Sequence, residues 1–196
     1  MDSIYRRERN VMEYFAVIDT ETTWTNRVMS IGVVIADSKE MKPRSAKCYI
    51  VDPVYKEGGM YSAKLLEHGR KNTYLGTRQQ CMSDIEKMLQ QYGVKKILAY
   101  NANFDKTHLD ELCRYTWCDI MKIAAYRQFN KKIPSDVECF STGKMKRGYS
   151  VEGILRMIGP DRYYCETHNA YLDAMDELSI VRLLNLEFEI YDNAIL

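Results

Sequence analysis

Two carboxylates, Asp19 and Glu21, stand two residues apart at the end of the apolar, β-branched run Tyr14 to Thr20 (YFAVIDT). Alternate side chains of an extended strand point to one side, so both acids would project together where the strand meets solvent. Like charges held so close repel unless a cation lies between them. By itself the pair fits a divalent-cation site or a plain polar strand end. A third acid shifts the balance toward chemistry: Asp105 follows the run Lys96 to Tyr100 (KILAY) through Asn101-Ala102-Asn103-Phe104. If that run is a strand beside the first, the two strand ends face one pocket. His168 and Asp173 form the last pair, at the start of a long helical pattern (HNAYLDAMDEL). A separation of five is a little over one helical turn, so an aspartate on the helix and a histidine just before it can reach one site.

These residues need elements to hold them. Val28 to Ala36 (VMSIGVVIA) reads as a second strand and Ser45 to Asp52 (SAKCYIVD) as a third, with a turn around Pro43 between them. The connections are too short for helical crossovers, so the first three strands are expected to pair antiparallel. Ile85, Met88, Leu89 and Tyr92 follow helical spacing over Ser83 to Tyr92, ended by Gly93. Lys96 to Tyr100, reached through that helix, can lie parallel to the first strand. Further helices are expected at Lys106 to Tyr115, Ile120 to Phe129, Ser150 to Ile158 and His168 to Leu184, giving the order βββαβαααα and a central sheet covered by helices. The irregular stretch Phe129 to Tyr149 reads as a loop or small hairpin over the domain. His108, beside Leu109 and Leu112, reads as structural, His68 as solvated between elements, and Met145, Met157 and Met175 as core fillers.

A length of 196 residues suits one core, and 46% hydrophobic with 28% charged residues is an ordinary globular composition. No stretch approaches a membrane span. Met1 to Asn10 carries Arg6, Arg7, Glu8 and Arg9 without an apolar segment, which argues against a secretory signal and for the cytoplasm. Six cysteines without a CxxC pair point to free thiols, and Cys113, Cys118 and His108 are wrongly spaced for a structural zinc. The net charge of +1 excludes a protein that holds nucleic acid by bulk electrostatics. A nuclease is not excluded, because cation-binding carboxylates subtract charge where the substrate must come.

FAVIDTETT (Phe15 to Thr23), YNANFD (Tyr100 to Asp105) and HNAYLD (His168 to Asp173) resemble, in order, the three motifs of the DEDDh 3′→5′ exonucleases, a family of the ribonuclease H-like superfold. Trp117 to Ile120 and Tyr149 to Gly159 resemble its connecting segments, so the similarity runs from Phe15 to about Leu184. A lone DxE is weak; three blocks in order are not. His168 occupies the position that defines this subclass, and Asn169 stands where the sister group has a tyrosine. Tyr163, Tyr164 and Tyr171 are at other spacings.

The resemblance implies one exonuclease domain over 1–196, with its motif-bearing core at about 13–187. The implied fold is a ribonuclease H-like mixed sheet, three antiparallel strands followed by parallel strands, flanked by helices. It implies two divalent cations, Mg²⁺ or Mn²⁺, held by Asp19, Glu21, Asp105 and Asp173 roughly 4 Å apart. Asp19, Glu21 and Asp173 would share the ion carrying the attacking water, Asp19 would reach the second, and Asp105 would act partly through water. His168 would be the general base, a task suited to imidazole, and nucleoside 5′-monophosphates would leave. The implied partner is a single-stranded nucleic acid 3′ end, RNA or DNA; a homodimer or a polymerase partner stays open, and no membrane is implied. Thr22, Thr23 and Trp24 map to the terminal-nucleotide site, where Trp24 replaces the small residue common there and could equally be a core or lid residue. Asn101 matches a common family residue, although Tyr100 stands where many members have His. Lys144, Lys146 and Arg147 are candidate backbone contacts or a solvated loop. A non-catalytic nucleic-acid-binding or interaction domain on the same scaffold is the competing expectation.

Overall fold

The computed structural model describes residues 12–196; the N-terminal segment read as lacking a secretory signal lies outside them. Strands β1 (Tyr14–Thr22), β2 (Val28–Asp37) and β3 (Pro43–Val51) form an antiparallel meander, with Asp19 opposite Gly32 and Gly32 opposite Cys48. On one edge of this meander β4 (Thr73–Gly76) pairs parallel with β3. Beyond the other edge β5 (Lys96–Ala99) lies parallel to β1, and β6 (Thr116–Asp119) parallel to β5. The six-stranded order is β4-β3-β2-β1-β5-β6. This is the expected mixed sheet, with β1 near its centre.

Strand alternation sorts the core into two layers. Phe15 and Val17 of β1, with Val34 and Ala36 of β2, pack under α3 (Ile120–Ala124), α4 (Val151–Ile158) and α5 (Ala170–Leu184). Ala16, Ile18, Val33 and Ile35 face α1 (Arg78–Gln91). Both faces are therefore buried, and β2 is buried along its whole length. Asp19 and Glu21 continue the register of Phe15 and Val17, on the α5 side.

Four expectations need correction. The helix read over Lys106 to Tyr115 is instead a short α2 (Asn103–His108), a 3-10 turn at Asp110–Leu112 and the approach to β6. The helix read to Phe129 stops at Ala124, because Asn130 Nδ2 donates to the Ala124 carbonyl at 2.7 Å and pins the following chain as a turn. Helix α1 begins at Arg78, a turn before Ser83, where Thr77 and Gln80 form a reciprocal capping box. Pro43 opens β3 rather than marking the turn, which lies before it and includes Met41 at φ 53°. First position is where a residue without an N–H is tolerated in a sheet. Within the Phe129 to Tyr149 stretch, read as a loop or small hairpin, Cys139 bridges to Met145, and Lys144 bridges back to Tyr126 before it.

One glycine governs how close helix and sheet come. A Cβ on Gly32 would sit 1.9 Å from the Ala170 carbonyl oxygen, so only glycine lets the first turn of α5 rest on β2 beside Asp19. That contact brings Asp173 down to the strand carboxylates. Among the described residues no helix is long and apolar enough to cross a membrane, and the cysteines are free thiols.

Candidate active site

The three sequence blocks meet at the end of β1. Asp19 and Glu21 come from that strand, Asp105 from α2 just past β5, and Asp173 from the first turn of α5. His168 precedes α5 in a left-handed conformation, φ 59°, a backbone state that non-glycine residues adopt uncommonly. Asn169 fixes this reversal from both sides: its side chain accepts the Leu172 N–H as the helix cap, and its Nδ2 donates to the Lys64 carbonyl at 2.5 Å. The His168 ring stacks on Tyr61, with centroids 4.0 Å apart and planes 15° from parallel. Potential ligand atoms of Glu21, His168 and Asp173 all lie within 4.8 Å of one another. Asp105 is 2% exposed and accepts a hydrogen bond from Thr20 Oγ1 at 2.7 Å.

The oxygens left over say what this arrangement can hold. Asp19 Oδ2, Asp173 Oδ1 and Glu177 Oε2 are buried without a hydrogen-bond partner among the described residues. An ionised carboxylate only accepts, so such atoms call for a cation, a donated water hydrogen or a proton of their own. Hard oxygen donors gathered in this way suit Mg²⁺ or Mn²⁺. The residues present therefore fit a divalent metal.

Electrostatics carry the same signature. Burial first, then the charges of Asp105, Asp173, Glu21 and Glu166, push the Asp19 carboxyl well above its ordinary range. Burial and Glu166 raise Glu21 to about 7, burial raises Asp105 to about 7 against the Thr20 hydrogen bond, and burial with Glu166 and Glu21 raises Asp173 to about 8. The folded state thus keeps protons that an unfolded chain releases near pH 4. Stability contributed by these groups is full below about pH 4 and is lost as pH rises through about 7 to 8. In EDTA the melting temperature should fall between pH 5 and pH 8, each kcal/mol corresponding to roughly 2–4 °C. Manganese should restore it strongly at pH 8 and weakly at pH 5, since it binds the ionised form. Thermal melts at both pH values, with and without the ion, check this; a manganese effect equal at the two would contradict it.

The expected substrate contacts separate into groups. Asn101 and Lys144 line a cleft of about 500 Å³ together with Asp19, Tyr100, Tyr149 and Glu177, and the Lys144 ammonium lies 4.4 Å from the centre of the Tyr149 ring. Trp24 is 69% exposed, which removes the core alternative and leaves its ring free to stack. Thr22 sits at the irregularity where β1 leaves register with β2. Thr23 is spent on its own turn: its N–H donates to the Arg27 carbonyl at 2.8 Å, and its hydroxyl accepts the N–H groups of Thr25 and Arg27. Lys146 and Arg147 are set apart, lining another cleft with Val137 and Glu138, where Lys146 pairs with Glu138 at 3.5 Å. Their backbone partners differ: Lys144 bridges to Tyr126, whereas the Lys146 N–H donates to the Glu138 carbonyl at 2.9 Å.

Sequence reasoning missed Glu166, Glu177 and Tyr61. Glu177 had a readable signal, its i, i+4 relation to Asp173 on one helix face; Tyr61, in a segment without periodicity, had none. His68, read as solvated, instead stacks on Tyr171 at 4.7 Å and pairs through Nε2 with Thr73 Oγ1 at 2.9 Å. His108 bridges the Phe104 carbonyl and Asn26 Oδ1, a structural role.

No family model and no curated protein matches the sequence. Solved structures do match. The nuclease domain of 3′hExo, described as a DEDDh family member bound to rAMP, aligns with a TM-score of 0.61 over 94% of this chain and 95% of that one, at 16% identity. A full-length 3′-exonuclease aligns with a TM-score of 0.61 and 15% identity, over 93% of this chain and 84% of that one. An E. coli ExoI–ssDNA complex gives a TM-score of 0.59 and 13% identity over 89% of this chain, which spans 40% of that one. The chain therefore has the ribonuclease H-like α/β fold that these exonucleases share.

Proposed function

We propose that this protein is a divalent-cation-dependent 3′→5′ exonuclease of the DEDDh type, acting on single-stranded RNA or DNA ends. The observation that carries the reading is the convergence of Asp19, Glu21, Asp105, Asp173 and His168 from three separated segments, with buried carboxylate oxygens that lack protein partners. Such a cluster destabilises the cation-free fold by mutual repulsion, and a purely structural scaffold gains nothing from it. That favours an enzyme over a non-catalytic binding domain.

In this reading Asp19, Glu21 and Asp173 are cation ligands, and Asp105, tied to Thr20, orients the site and a bound water. When bound, two Mg²⁺ or Mn²⁺ ions supply Lewis acidity at the scissile phosphate and at the departing 3′ oxygen. His168 accepts the proton of the attacking water, with its ring orientation set by Tyr61. Trp24 stacks on the terminal base, and Asn101 and Lys144 contact the neighbouring backbone. The product is a nucleoside 5′-monophosphate.

Digestion of 5′-labelled linear and circular single strands with manganese tests this directly. A ladder shortening from the 3′ end is expected on linear RNA or DNA, with circles intact and no reaction by Asp19→Ala. Cleavage of circles, or full activity in the variant, would overturn the assignment.

A further inference from the structure

Helix α5 buries one face along its length. Beyond the first turn that face carries Leu178, Ile180, Val181 and Leu184, an apolar stripe, but Glu177 interrupts it one turn after Asp173. Glu177 is 2% exposed, and its Oε2 is buried without a partner. A glutamate in such a place costs far more than the leucine that would fill it, unless something compensates the charge. Burial first, then the charges of Asp19, Asp105 and Asp173, oppose its ionised form, and only the Tyr100 backbone N–H favours it.

Its surroundings identify the compensation. Glu177 and Asp19 line the same 500 Å³ cleft, and each brings a buried, unpartnered oxygen. Glu21, His168 and Asp173 converge as a separate group of ligand atoms that includes neither of them. Asp105 has Oδ1 committed to Thr20, so it has less to offer a second ion. We propose that Glu177 is a fifth carboxylate ligand, which with Asp19 holds a divalent cation on the cleft side of the site. This rests on the cation-dependent reading given above. It assigns the second ion to α5 as much as to α2, and makes Asp173 and Glu177, at i and i+4, a paired ligand set on one helix.

Mn²⁺ binding followed by electron paramagnetic resonance tests the assignment without reference to activity. Glutamine matches a neutral glutamic acid in shape, so Glu177→Gln keeps the fold if the group is merely a buried acid. Wild type is expected to bind two ions. Glu177→Gln should weaken one of them by more than about tenfold, at least what an outer-shell partner contributes, and leave the other within about twofold. Should the glutamine variant fail to fold by circular dichroism, Glu177→Asp, which withdraws the oxygen by one methylene, is expected to give the same selective loss. Undiminished binding of both ions in either folded variant overturns the role of Glu177. If Asp19→Asn and Asp173→Asn still lose binding in that case, only this inference falls; if they too bind as wild type, the cation-site reading itself falls.

Discussion

Replacing Asp19 with asparagine is expected to lower turnover by more than about 10³-fold while raising the melting temperature of the cation-free protein. The loss follows from position. Asp19 lies at the centre of the charge cluster, facing Asp105, Asp173, Glu21 and Glu166, and carries a buried oxygen without a partner. A ligand at that point supports transition-state stabilisation of several kcal/mol by bound cations, and each 1.36 kcal/mol is about tenfold in rate. The gain has the same origin: asparagine fills the same volume without adding charge to a site where burial and four neighbours already oppose ionisation. Activity lost together with stability would make Asp19 structural. Activity lost against a rise in stability is the mark of a residue kept for function. Steady-state kinetics with manganese and melts in EDTA read the two halves.

Removing the imidazole of His168 is expected to lower turnover by about 10² to 10⁴, the usual contribution of a positioned general base. Mn²⁺ affinity should stay within a few-fold of wild type. Asparagine is the better replacement than alanine, because it tolerates the left-handed backbone that His168 adopts at φ 59°. Strain is thereby separated from loss of the base. Since the ring lies within ligand distance of the Glu21 and Asp173 group, a parallel loss of Mn²⁺ affinity would make it a ligand instead. Tyr61→Leu, which removes the ring stacked on His168, should lower turnover in the same direction by a smaller factor.

Much of this was legible in the residues. Tyr14 to Thr22 and Val28 to Asp37 announce themselves because they are long and β-branched, and the short links between the first three strands leave antiparallel pairing as the economical choice. The five motif residues stood out because FAVIDTETT, YNANFD and HNAYLD stand in order and together resemble the motifs of one family. What stayed hidden has physical causes. β4 and β6 are four residues each, too short for alternation to show, and β6 takes its identity from pairing Trp117 and Cys118 with Ile97 and Leu98. Lys144, Lys146 and Arg147 read as one basic run, but pairing of Lys144 with Tyr126 and of Lys146 with Glu138 divides them between two clefts. Glu177 was overlooked because a glutamate in a helical pattern reads as solvent-facing, and only packing against β1 and β2 turns it inward.

The most direct test of the central claim is the identity of the product. A single-stranded oligonucleotide digested in ¹⁸O-water with manganese should yield nucleoside 5′-monophosphates carrying one ¹⁸O on phosphorus, released in order from the 3′ end. Products bearing 3′-phosphates, internal fragments, or the same products from Asp19→Asn at an undiminished rate would contradict it.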